Sequence, residues 1–164
     1  MRGSIAFAIG VALGVTSLGT TTISGQGSDP RIGRWQINLA KSKFTAAPPK
    51  TITRVYEDHG GGIVLSTITT TPASGAANVL LVLYKIDGKE YPQLPRGAET
   101  TNTVTQRLVD PHTVEGVTKR DGKIVSTFTQ VVSADGKTLT YTPKDEKGQP
   151  TGVVQVFEKQ VGTT

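Results

Sequence analysis

The stretch Thr113 to Thr142, TVEGVTKRDGKIVSTFTQVVSADGKTLTYT, decides the fold. Its β-branched and aromatic residues favour extended chain, and no apolar stripe recurs at helical spacing. Asp121-Gly122 and Asp135-Gly136 interrupt it, and such dipeptides between β-rich runs are hairpin turns. Lys147-Gly148 adds a third turn, so the glycines at 122, 136 and 148 are 14 and 12 residues apart. Successive hairpins at that spacing make an antiparallel meander. Parallel strands would need crossovers of a dozen or more residues, for which there is no room.

Working outward, the same grammar covers the chain from Gly33 on. The runs read as strands are Gly33–Leu39, Thr51–Glu57, Ile63–Thr71, Ala77–Ile86, Thr101–Val109, Thr113–Arg120, Lys123–Ser133, Thr138–Thr142 and Val153–Gln160. Ala40–Phe44 has room for one helical turn, and Pro48-Pro49 stops it. Tyr91–Thr100, with two prolines and a glycine, reads as a loop. Ala77–Ile86 (ANVLLVLYKI) is apolar on both faces and reads as a central strand covered on each side. The expectation is an all-β, antiparallel up-and-down barrel of eight or nine strands, because closure removes long Thr- and Val-rich edges. A two-sheet sandwich is the alternative.

Composition agrees. The chain has 164 residues, 25 of them threonine, with 19 Gly, 9 Pro, no Cys and 35% hydrophobic residues. This excludes a coiled coil, a disulfide scaffold and a cysteine-based zinc site. At the N-terminus, Met1-Arg2 precede an uncharged apolar run, Ile5–Val15, and then a small polar stretch to Gly27. That is the layout of a secretory signal peptide, too short to span a membrane. Residues 1–27 are therefore expected to be a signal peptide. Residues 28–164 are then one barrel domain, secreted or periplasmic, with no integral membrane segment left after cleavage. A lipid anchor at the cleavage point would need a cysteine, and there is none.

The stretch Asp29-Pro-Arg-Ile-Gly-Arg-Trp-Gln-Ile-Asn-Leu-Ala-Lys-Ser-Lys-Phe44 resembles the opening of a group of small exported bacterial proteins of unassigned function. Asp135-Gly136-Lys137-Thr138 and Val156-Phe157-Glu158-Lys159-Gln160 resemble the same group. Gly33-x-Trp35 on a first strand is also similar to the start of lipocalins and the wider calycin barrels. That resemblance implies a structural plug in which Gly33 opens the strand and Trp35 closes one end of the barrel. It also implies that Lys159, on the last strand, packs on the Trp35 ring by a cation–π contact. The chain departs from the lipocalins proper, with no Thr-Asp-Tyr-type turn and no arginine after the last strand.

Little in the sequence looks catalytic. His59 and His112 stand in separate turns, and no serine stands in a G-x-S-x-G context. Catalysis would need one of the two to meet an acid at a barrel mouth, so the reading leans away from an enzyme. Asp87, Asp121 and Asp135 precede glycines, where a turn role accounts for them. Gly60-Gly61-Gly62 lacks the spacing and helix of a phosphate loop. The net charge of +5 is scattered, without the concentrated basic patch that nucleic acid requires. No cofactor and no metal are expected, and the oligomeric state stays open.

What remains is the interior. Alternation offers Trp35, Tyr56, Leu81, Leu83, Phe128, Tyr141 and Phe157 as inward residues. Arg54, Tyr56, Tyr84, Arg107 and Tyr141 are the candidate ligand-binding residues, orienting a small hydrophobic or amphipathic partner. The alternative is an envelope protein-interaction or inhibitor module with a packed core, acting through Tyr91–Thr100 or Ala73–Asn78.

Overall fold

The computed structural model describes residues 29–161. The expected signal peptide, residues 1–27, lies outside them. The described residues form one 11-stranded antiparallel sheet that wraps into a nearly closed barrel. Nine strands are long: β1 (Gly33–Ile37), β2 (Thr51–Asp58), β3 (Val64–Thr71), β4 (Asn78–Tyr84), β7 (Thr103–Asp110), β8 (Thr113–Arg120), β9 (Lys123–Val132), β10 (Thr138–Lys144) and β11 (Gln155–Gln160). Two are short, β5 (Glu90–Pro92) and β6 (Leu94–Pro95). A single 3-10 turn, Leu39–Lys41, is capped by Asn38, whose side chain accepts from the Lys41 amide. Among the described residues no helix is long and apolar enough to cross a membrane.

The turns do what their residues dictate. Asp121 adopts φ +50° and Gly122 φ +74°, the left-handed pair a tight hairpin demands. Asp87 and Asp135 instead accept from the amides of Lys89 and Lys137 two residues on.

The order β5-β7-β8-β9-β10-β11-β1-β2-β3-β4-β6 is a single sheet, not two stacked sheets. Its first and last long strands join the ends of the chain, with Trp35 opposite Lys159 and Ile37 opposite Phe157. β4 and β7 do not pair with each other. The run Glu90–Pro95 stands between them, with β5 on β7 and β6 on β4. Tyr91–Thr100 is therefore not a plain loop as expected. Tyr91 to Arg96 supply the backbone bonds that cover the seam, including Arg96 N–H to the Val79 carbonyl and Gln93 N–H to the Asn102 carbonyl. Prolines are tolerated there because a short edge strand leaves amides that need no partner.

Alternation fills the core. β2 buries Ile52, Arg54 and Tyr56 in turn. Trp35, Val114, Leu139 and Phe157 are wholly buried. On β4 the inward residues are Val82 and Tyr84, while Leu83 is 50% exposed. Leu83 is therefore not an interior residue, and Leu81, two positions before it, shares its outward face. Both faces of that strand are apolar, so period-two patterning could not choose between them.

Candidate functional site

A partly open cavity of about 200 Å³ lies in the barrel interior. Its lining is mixed. Ile68, Leu80, Val82, Val104 and Phe128 give apolar surface. Polar groups come from Arg31, Arg54, Tyr56, Ser66, Gln93, Gln106, Thr118, Gln130 and Tyr141, several of them on the same strands. Phe128 lies flat over Gly116 on the neighbouring strand, where any Cβ would collide with the ring. The missing side chain lets the ring settle against the sheet instead of standing into the cavity.

Arg31 is the best-satisfied buried charge among the described residues. It is 1% exposed, and its Nε and Nη2 donate to the two Asp29 carboxylate oxygens at 2.9 and 2.7 Å. Nη2 also donates to the Tyr84 hydroxyl at 2.7 Å, and Nη1 to Gln106 Oε1 at 2.7 Å and to Gln130 Oε1. The Tyr84 hydroxyl donates to Asp29 Oδ2 at 2.7 Å. Burial by itself would raise the Asp29 carboxyl, but the hydrogen bonds and charge of Arg31 override it and hold it below the ordinary range. Burial opposes the Arg31 charge, yet Tyr84 and Asp29 around it raise its affinity for its proton. Burial likewise pushes the Tyr84 phenol well above its usual value. The Arg31 carbonyl accepts from Trp35 Nε1 at 2.7 Å, which ties this cluster to the plug.

Arg54 is placed differently. It is 6% exposed, and its guanidinium sits over the rings of Tyr141 (4.4 Å) and Phe157 (4.9 Å). Its Nη atoms make only long bonds, 3.4 Å to the Tyr56 hydroxyl and 3.3 Å to Gln155 Oε1. Its Nε–H is buried with no acceptor. The Tyr56 hydroxyl accepts a second bond from Gln130 Nε2 at 2.9 Å. Gln130 thus links the two arginine clusters. Burial raises the Tyr141 phenol, while the nearby Arg54 charge works the other way.

The structure brings together Arg54, Tyr56 and Tyr141 on one cavity, with Tyr84 behind it against Arg31. Arg107 is a correction. It stands opposite Glu115 on β7 and β8 and pairs with it at 2.7 Å, with 72% of its side chain in solvent. The inward positions on β7 are Val104 and Gln106, so Arg107 falls on the outer face. A second groove of about 260 Å³ runs past this pair, whose two charges are solvated and matched to each other. At the plug, Lys159 Nζ lies 5.2 Å from the Trp35 ring centre. Gly33 takes φ +126°, and a Cβ there would meet Lys159 Cε at 2.8 Å. Both histidines are exposed in their turns. Among the described residues no group of three metal-ligating side chains comes together.

Sequence reasoning missed Asp29 and Arg31 because they precede the first strand, where alternation says nothing. Gln106 and Gln130 carried a signal, since each occupies an inward position between apolar neighbours, Val104 and Leu108 or Phe128 and Val132.

No protein-family model matches the chain, and no curated protein matches its sequence. Among solved structures, a mutant of the fluorescent protein UnaG is similar, with a TM-score of 0.58 and 18% identity. The match covers 81% of this chain and 98% of that one. At that identity the likeness speaks for the fold alone, and it is consistent with a calycin-like barrel.

Proposed function

We propose that this protein is an exported, non-enzymatic barrel that takes one small amphipathic molecule into its interior. The observation that carries the reading is an interior cavity with an amphipathic lining. Apolar Ile68, Leu80, Val82, Val104 and Phe128 share it with buried polar groups, among them Arg54, Tyr56, Gln106 and Gln130. A core that served only for packing would be filled to uniform density. Export rests on the layout of residues 1–27. The test is native mass spectrometry of protein purified from its own host, together with titration of a panel of small neutral and charged ring and short-chain compounds. A bound species, or saturable binding from the panel, is the expected result. Absence of both would overturn the reading.

A second reading, a protein-interaction module of the cell envelope, is favoured by one outward feature. Leu81 and Leu83 on β4 lie beside Leu65 on β3 and Leu94 on β6, and Leu83 and Leu94 are each about half exposed. Leu94 lies in the segment Tyr91–Thr100. Leu83→Glu with Leu94→Glu would abolish capture of an envelope partner under this reading, and would leave small-molecule binding intact under the first.

A further inference from the structure

Two donors at the cavity lack a good acceptor, Arg54 and the Tyr56 hydroxyl. Arg54 Nε–H has no acceptor, and its Nη bonds are at the long limit. The Tyr56 hydroxyl accepts in both bonds it makes, so its own proton remains to be given. Gln106 Oε1 and Gln130 Oε1 are both engaged by Arg31. Charge repeats the imbalance. Asp29 neutralises Arg31, while among the described residues no carboxylate pairs with Arg54. The ring faces of Tyr141 and Phe157 offset that charge only in part. A buried arginine without a counter-charge is unfavourable unless something else supplies it.

Volume limits what that can be. An apolar cavity of roughly 150 Å³ takes up benzene. The cavity here, about 200 Å³, suits one ring or a short chain plus a small head group. A guanidinium fork matches a planar carboxylate better than any neutral acceptor. We propose that the occupant is a small monocarboxylate whose carboxylate accepts from Arg54 and Tyr56 while its apolar body lies against Phe128 and Val104. This rests on the interior being a ligand site, and it names the ligand's chemical class.

Benzoate and benzamide separate the two claims, because they share a ring and nearly a shape but only one is an anion. NMR titration of the protein at neutral pH should show benzoate binding at least about tenfold tighter, the size of a charge-assisted hydrogen-bond contribution. Intermolecular NOEs should run from the benzoate ring to Phe128 and Tyr141. Arg54→Gln should bring benzoate down to the benzamide level and leave benzamide unchanged, and Arg54→Lys should keep part of the preference. The wild-type contrast stands by itself if a variant fails to fold. Equal binding of both compounds, a preference that survives Arg54→Gln, or NOEs elsewhere would each overturn the carboxylate assignment and leave the cavity reading standing. So would panel binding confined to neutral compounds. Failure of the entire panel, with no species bound to the protein from its host, would overturn both.

Discussion

Asp29→Asn leaves the Arg31 guanidinium buried beside an amide instead of a carboxylate. Breaking a buried pair from one side costs about 3–5 kcal/mol, because the remaining charge has nowhere to go. Arg54→Met should behave in the opposite sense. It removes a buried cation that lacks a carboxylate, and in the absence of ligand its urea midpoint should equal or exceed that of the wild type. A large loss of stability in Arg54→Met would mean that the Tyr141 and Phe157 faces compensate the charge fully. Gly116→Ala probes the same cavity from the sheet side. Its Cβ meets the Phe128 ring, so the ring must lift into the cavity, at about 1–3 kcal/mol. Adding Phe128→Leu should recover part of that loss, which a double-mutant cycle measures.

Among the elements, the seam is the weak point. β5 and β6 have three and two residues, contain Pro92 and Pro95, and each pairs on one side only. Amides of Tyr91, Gln93 and Arg96 should exchange with deuterium far sooner than those of β8, paired on both sides from Thr113 to Lys119, or of β2 between Thr53 and Tyr56. Equal protection across the seam would show that Glu90, through Lys119 and Thr103, fastens it more firmly than its length implies. The elements also mark where the sequence was legible. In β2 Ile52, Arg54 and Tyr56 alternate with Thr53, Val55 and Glu57, so the strand and its odd inward residue, Arg54, were readable. In β4 every position from Val79 to Tyr84 is apolar, so the strand was readable and its orientation was not. The seam strands were hidden because their prolines and the glycine that follows them carry loop chemistry. What holds them extended is the gap between β4 and β7, which is a property of the closed sheet and not of the segment.

For the molecule as a whole, acid should be the condition that loosens it. The Asp29 carboxyl is held below its ordinary value in the folded barrel. The unfolded chain therefore binds that proton more readily, and falling pH favours unfolding. Stability from this group should be complete above the ordinary carboxylate range and be lost as pH drops through the lowered folded value. Urea midpoints measured from pH 7 to pH 3 should fall at the acid end, and Asp29→Asn should flatten that part of the profile. A profile unchanged by the substitution would place the acid sensitivity elsewhere.

The pairing of β1 with β11 also governs the order in which the molecule can be made. Trp35 leaves the ribosome more than a hundred residues before its neighbour Lys159. The hairpins between β7 and β10 can zip as each turn emerges, whereas β1 keeps one bare edge until the final strand is synthesised. Until then Trp35 has no cation over its ring. A message truncated anywhere before residue 155 would leave that edge open for good, and such a fragment would seek a strand from another molecule.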